Sequence, residues 1–290
     1  MPGFIDAHVH IGFFNPKRVL AGGVTTARDL GWPLMEIFTL ARELIADPDA
    51  GPQLLCAGPM ITAVGGYPTQ ARWAPPGTGL EVSGAPAAVD AVAMIASMGA
   101  CIIKVAQAPQ SGPTLDPAEL GAVVETAHGL GLRVTSHCSS VAQLHIALEA
   151  GVDELAHGLW SDEPLSDDLV NAIAGSMTIV PTLHIDPSEV RLANTRRLFE
   201  AGAPFVYGTD MGNSGPPAGI DVDELRLMMQ IGMSAHDVIA SATSSAAIHL
   251  GLHDVGLIEP GATANFIIVD GDPSVDISNL AAPMLVHRAK

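Results

Sequence analysis

Short apolar runs rich in β-branched residues alternate with longer stretches of helical periodicity along most of the chain. The runs fall at Phe4–His8, Val24–Arg28, Gln53–Ala57, Cys101–Val105, Arg133–His137, Glu154–His157, Thr178–Thr182 and Phe205–Thr209. Between them lie helical candidates at Pro33–Ala46, Ala87–Met98, Pro117–Leu130, Val141–Ala150, Asp167–Ala174 and Pro187–Ala201, with a last helix over Ser234–Leu250. Strands that alternate with helices predict a parallel sheet, and eight is the number that closes a (β/α)8 barrel. The predicted fold class is therefore α/β, a TIM barrel over residues 1–250. Gly23, Gly99, Gly151 and Gly202 each precede a strand, as helix C-terminal caps leading into the sheet would.

Two segments break the alternation. Pro59 to Pro86 holds five glycines and five prolines in 28 residues. It reads as a long loop over the C-terminal face of the barrel, and loops of that length are usually functional or disordered. Gly256 to Pro273 reads as a turn, a strand at Asn265–Val269 and a tight Asp-Gly turn. It makes residues 251–290 a small, truncated β appendage. The strand Asn265–Val269 has no evident partner in the sequence, and an unpaired apolar edge favours association with a second copy. A homo-oligomer is the expectation.

Length and composition narrow the class. The 290 residues match one large barrel domain of about 250 residues. Apolar residues make up 48 %, and no apolar run is long enough to span a bilayer. The net charge is −18, from 31 acidic and 13 basic residues, and the only lysines are Lys17, Lys104 and Lys290. Such a surface repels phosphate backbones and anionic lipid, so nucleic acid and membranes are not the expected partners. A small molecule is. The three cysteines, Cys56, Cys101 and Cys138, are odd in number and far apart, which points to a reducing, cytoplasmic setting.

The chemistry gathers at strand ends. In Phe4-Ile-Asp-Ala-His-Val-His10, alternation puts Ile5, Ala7 and Val9 on one face and Asp6, His8 and His10 on the other, the barrel interior. Two imidazoles at i and i+2 can reach one metal ion, although such a pair alone is a weak signal. His137, His157 and Asp210 each close a later strand at the same end of the barrel, where active sites of this architecture lie. A single such side chain is unremarkable, but five together call for a metal. Lys104, between Ile103 and Val105, is costly to bury as a free cation. As a neutral amine it can take up carbon dioxide and become a carbamate, an oxygen donor able to bridge two metals. The competing reading is an ordinary ion pair. Tyr67 in the long loop and His184 after Val180-Pro-Thr-Leu183 are candidates for substrate binding. Alternation turns Cys138 away from the face that His137 occupies, which argues against a thiol nucleophile. The remaining histidines lie in helices or the tail and are read as structural.

The segments PGFIDAHVH, GGVTTARDLG, IIKV, SHC, DELAHG, VPTL, GTD and LGLHDVGLIEPGATANFIIVDGDP resemble, in order and over nearly the whole chain, the amidohydrolase superfamily. The likeness is greatest to its imidazolonepropionase-like and Xaa-Pro-dipeptidase-like branch. That resemblance implies a binuclear centre of divalent ions, zinc in the first place and manganese, cobalt or iron otherwise. His8 and His10 with Asp210 would hold one ion, His137 and His157 the other, and carboxylated Lys104 would bridge them. It implies hydrolysis of a C–N bond in an amide, cyclic amide or dipeptide by a metal-bridging hydroxide, with Asp210 as general base and acid. Three alternatives are a mononuclear deaminase-like site, carbamate or ester hydrolysis at the same centre, and an inactive metal-binding homologue. Two departures from the family pattern stand out. The β segment that usually precedes the first motif is not in this sequence, and Ser139 stands where many members carry a further histidine.

Overall fold

A computed structural model describes residues 1–289 as an α/β fold built on parallel sheets. The strands are β1 (Phe4–Val9), β2 (Val24–Asp29), β3 (Gln53–Cys56), β4 (Met60–Ala63), β5 (Gly79–Val82), β6 (Ile103–Gln107), β7 (Val134–Cys138), β8 (Glu154–Leu159) and β9 (Thr178–Ile179). A three-stranded sheet runs β1-β2-β3, and a six-stranded sheet runs β5-β4-β6-β7-β8-β9, parallel throughout. The two are joined where the amide of Cys101, just before β6, donates to the carbonyl of Cys56 in β3 at 2.9 Å. β1, β2 and β6 are buried on both faces, as expected of a parallel sheet covered by helices.

Seven of the eight predicted strands form, within a few residues. The eighth, predicted at Phe205–Thr209, does not form a regular ladder. It makes isolated bridges from Phe205 to Ile179 and from Met211 to Val9. Its amides and carbonyls nevertheless bond on both sides. Val206 donates to Ile179, Ala7 donates to the Tyr207 carbonyl and Asp210 donates to the His8 carbonyl. The ladder breaks for local reasons. Pro181 cannot donate, Thr182 has φ +43, Asp210 has φ +56, and the Tyr207 amide turns away to the Ser241 carbonyl. Gly208 permits the close approach, because a Cβ there would lie 2.4 Å from Val180 Cγ1 and 3.0 Å from His8 Cβ.

The long segment 59–86 differs from expectation in containing two strands, β4 and β5, separated by the loop that carries Tyr67. Its glycines and prolines masked a short apolar run. The six interior helices fall where periodicity puts them, for example Val141–Ala150 and Pro117–Gly129, the latter opened by an Asp116/Glu119 capping box. Gly23, Gly99, Gly151 and Gly202 all have positive φ, as caps require. Helices at Pro16–Ala21 and Val222–Gln230 were not foreseen. The predicted Ser234–Leu250 helix is split into Ala235–Ser241 and Ser244–His249 at Thr243, whose hydroxyl donates back to the Ile239 carbonyl. No helix among the described residues is long and apolar enough to cross a membrane.

The expectation of an unpartnered tail strand is corrected. β10 (Phe266–Ile268) pairs antiparallel with β11 (Leu285–His287), and Ile267 exchanges backbone hydrogen bonds with Met1 on its other edge. Ile267, Ile277 and Leu280 are buried in the same cluster as Phe4 and Val24. The sequence-based reason for a second copy at this edge is thereby removed.

A buried ion pair ties β2 to β8. Arg28 donates through Nε to the Ala7 carbonyl (2.7 Å) and through Nη2 to Glu154 (2.7 Å), whose other oxygen receives His249 Nε2 at 2.6 Å. Burial alone would raise the Glu154 carboxyl, but Arg28 and His249 hold it well below the usual carboxylate range. A depressed carboxyl contributes stability that is present above its unfolded pKa and lost as pH falls through the folded one. Arg28→Met should therefore cost about 3–5 kcal/mol at neutral pH, by stranding a buried carboxylate. The deficit should narrow as pH drops below 4.5, the ordinary Glu value. Urea unfolding at pH 7 and pH 4 measures this, and an equal deficit at both would refute it.

Candidate active site

The carboxyl ends of the parallel strands converge on a cavity of about 310 Å³ lined by His10, Lys104, His137, His157 and Asp210, with Tyr67, Trp160, Gln110, Ser139 and Asn213 around them. His8 lies directly behind His10 and is fully buried. Each reaches the site by the route the sequence suggested. Strand alternation brings His8 and His10 to one face of β1 and its extension, while β6, β7 and β8 carry Lys104, His137 and His157.

Hydrogen bonding fixes the orientation of the first two rings. His8 Nδ1 donates to the Ala156 carbonyl at 2.6 Å, and His10 Nδ1 donates to the Gly31 carbonyl at 3.1 Å. A carbonyl can only accept, so Nδ1 carries the hydrogen in the neutral ring and Nε2 is left with a lone pair. Both Nε2 atoms face the same oxygen, Asp210 Oδ1, at 3.3 and 3.2 Å. His157 Nδ1 lies 3.7 Å from Asp210 Oδ2 and 3.0 Å from the Thr182 hydroxyl. The His157 ring centroid is 4.6 Å from that of His8 and 4.7 Å from that of His137. Thus three imidazoles and a carboxylate, all but buried, surround one point, with His137 beside them.

Two imidazole nitrogens that face one carboxylate oxygen are satisfied by a cation or a proton between them. His8 Nε2, Asp210 Oδ1 and Lys104 Nζ are all buried with no hydrogen-bond partner in the protein. His8, His10 and Asp210 offer ligand atoms within 4.8 Å of one another. The donor set, imidazole nitrogens with carboxylate oxygen, suits zinc and its first-row neighbours. The residues present therefore fit a divalent metal.

The electrostatics favour the uncharged ring at His8, His137 and His157 but not at His10. Burial, reinforced by the nearby Lys104 charge, pushes His8 well below its ordinary value. Burial also lowers His157, and it lowers His137 to about 3. For His10 the effect of burial is outweighed by the hydrogen bond and charge of Asp210, which raise it. Burial brings the Lys104 amine down to about 7, so a substantial neutral fraction exists near neutral pH. Among the described residues no carboxylate lies within 4.0 Å of the Lys104 amine, although the charges of Asp210 and Glu154 act on it.

Other supports carried no sequence signal. Asp6 accepts from the amides of His8 and Thr209 and from the Thr209 hydroxyl (2.6 Å), tying β1 to the residue before Asp210. Asp29 accepts from Ile11 and Gly31, fixing the carbonyl that orients His10. Thr182 and Asp210 are the non-glycine residues with positive φ among those described, and both touch His157. Strain of this kind concentrates at functional sites. Asn213 and Gln110 complete the polar wall, and the Ser139 hydroxyl donates to Gln110 Oε1.

The two substrate-binding candidates diverge. Tyr67 faces the cavity, with its ring 5.4 Å from His137. His184 does not. Its Nδ1 bonds Asp221 at 2.6 Å, and it lines a separate surface depression. The short turn at Leu183–Ile185, which follows the left-handed Thr182, redirects it.

Comparison with known proteins agrees with this geometry. A family model described as "Amidohydrolase family" matches residues 1–289. An uncharacterized protein of Mycobacterium tuberculosis is 27 % identical over 321 residues, covering 99 % of this chain and 83 % of the relative. An imidazolonepropionase of Rhizorhabdus wittichii is 29 % identical over 169 residues, 53 % of this chain and 40 % of the relative. Among solved structures, a Xaa-Pro dipeptidase with bound methionine in the active site superposes with a TM-score of 0.85 at 25 % identity, covering 99 % of this chain and 84 % of that one. The chain belongs to the amidohydrolase family, hydrolases of carbon–nitrogen bonds whose members generally use divalent metals.

Proposed function

We propose that this family member hydrolyses a C–N bond in a small amide, cyclic amide or dipeptide at a centre of two divalent ions, zinc in the first place. His8, His10 and Asp210 would hold one ion, His137 and His157 the other, and Lys104 would bridge them as a carbamate. The amine of Lys104 would add to the carbon of carbon dioxide and release one proton. The architecture proposed is a (β/α)8 barrel. Support for it comes from the hydrogen bonds that the 204–211 segment makes to both Ile179 and β1.

The observation that carries the reading is the convergence of His8 Nε2 and His10 Nε2 on one oxygen, Asp210 Oδ1, at 3.3 and 3.2 Å, with both Nδ1 atoms turned to backbone carbonyls. Bound there, a divalent metal lowers the pKa of water and polarises a carbonyl. Asp210 takes the proton from the attacking water and returns it to the leaving nitrogen, so that the C–N bond breaks as a C–O bond forms. The carbonyls of Ala156 and Gly31 keep His8 and His10 in one tautomer and one orientation throughout. Tyr67, from the loop between β4 and β5, forms part of the cavity wall.

Metal analysis tests the proposal. Two equivalents per chain are expected, with activity lost on exhaustive chelation and restored by zinc, manganese or cobalt. His8→Ala should lose both metal and activity. One equivalent with full activity would favour the mononuclear, deaminase-like alternative. Full activity after chelation would overturn the proposal.

A further inference from the structure

The chain is poor in aromatic residues, with three tryptophans and two tyrosines, yet they are not scattered. Trp160 lies 6.0 Å from His137 at 30° and 5.2 Å from His157. Tyr67 lies 5.4 Å from His137 at 33° and 6.0 Å from Trp73. Trp73 lies 5.3 Å from His10 and 6.0 Å from Phe13, which in turn packs edge-on against Trp32 at 4.9 Å. All three tryptophans thus belong to one continuous chain of rings, of which Tyr67 and Trp160 line the cavity and Trp32 is buried in the core. Tyr67, Trp73 and Trp160 are only half-buried, although rings of this size contribute most when covered.

The cavity is as distinctive in its charge. Among the described residues that line it, Lys104 is the only lysine or arginine, and it sits at the base among the histidines. The guanidinium of Arg191, beside Trp160, is already partnered. It stacks 4.2 Å over the Trp160 ring and pairs with Asp186. Away from Asp210 and the histidines, the polar wall is neutral: Gln110, Ser111, Ser139 and Asn213. A free carboxylate on the substrate would find no cation on this wall to receive it. At about 310 Å³ the cavity is at the small end of the range of about 300–1,000 Å³ for ligand sites, which suits one ring and its amide rather than a peptide.

We infer that the substrate is a neutral amide or carbamate carrying one flat, uncharged aromatic ring, held by Tyr67 and Trp160, with Trp73 packed beside Tyr67. This rests on the C–N hydrolase reading and narrows it to a substrate class. Hydrolysis would break the bond between the carbonyl carbon and nitrogen and join water oxygen to that carbon. The water's protons go to the departing nitrogen and the new acid.

Three matched probes test the idea on the metal-loaded protein: acetanilide, N-cyclohexylacetamide, which is neutral but not flat, and 4-acetamidobenzoate, which is flat but anionic. Two readouts are taken, amine release and quenching of tryptophan fluorescence, the latter also on metal-free protein. Acetanilide is expected to bind and to be cleaved at least tenfold better than either comparator. Trp160→Ala should raise its KM or Kd about tenfold with a smaller change in kcat, and Trp160→Phe should restore most of the loss. Should Trp160→Ala fold poorly, Tyr67→Leu serves in its place. Equal or stronger binding of the cyclohexyl or anionic probe overturns the inference. Preferential acetanilide quenching without cleavage of any probe leaves ring recognition standing and counts against the hydrolase reading. Metal-dependent cleavage of glycyl-proline with no response to acetanilide does the reverse.

Discussion

Asp210→Asn is expected to reduce kcat by about 10²–10⁴-fold, the usual contribution of a general acid–base group, with the fold intact. Asparagine is the suitable substitution because Asp210 sits at φ +56, a left-handed conformation that asparagine tolerates and most residues do not. The amide keeps the shape of the side chain and leaves the backbone bond from Asp210 to the His8 carbonyl (2.8 Å) in place. What it loses is an anionic oxygen facing His8 and His10, and with it the capacity to take a proton from water. Metal affinity should fall as well, because one oxygen donor becomes neutral. Steady-state kinetics at saturating zinc separates the two losses. A kcat restored by excess metal would mean that Asp210 acts only as a ligand and that the proton goes elsewhere. Unchanged melting temperature is the control that the backbone has held.

The sequence made the frame of this site readable, because its signals are periodic. Alternation along Phe4–His10 assigned His8 and His10 to one face, and the apolar runs ending in His137 and His157 carried those residues to the same end of the sheet. Lys104 stood out because two flanking isoleucine and valine residues imply burial without offering a partner. The parts that were not legible depend on tertiary contacts. Nothing in Val180-Pro-Thr-Leu-His184 announces that Thr182 adopts a left-handed conformation, bonds His157 and turns His184 away towards Asp221. β4 and β5 were hidden by the glycines and prolines around them, which a single-sequence pattern reads as loop. The tail strand seemed partnerless because its partners, Met1 and Leu285–His287, are 266 residues away or beyond a proline-bearing turn. The tryptophans gave no periodic signal at all, and only the folded chain links Trp32 and Trp73 through ring contacts to Tyr67 and His10 of the cavity.

Lys104 offers the sharpest separation between a structural and a functional role. Its amine is fully buried, lines the cavity and has no hydrogen-bond partner in the protein. A buried donor left unsatisfied costs about 1–3 kcal/mol, so Lys104→Met should make the metal-free protein more stable by a figure of that order. Methionine fills similar volume with no polar atom. The same variant should lose activity by at least about 100-fold, the upper end for disturbing the support of a metal site. It should also bind fewer than two metal equivalents. Stability gained while function is lost is the signature of a residue retained for chemistry. Lys104→Arg should lose on both counts. A guanidinium stays charged in the buried position, costing about 3–5 kcal/mol, and cannot form a carbamate. Urea unfolding of the chelated proteins, metal analysis and rate measurements on the three forms decide the matter. Full activity in Lys104→Arg, or a marked loss of stability in metal-free Lys104→Met, would show that the amine is an ordinary cation with a partner, and the bridging role would fall.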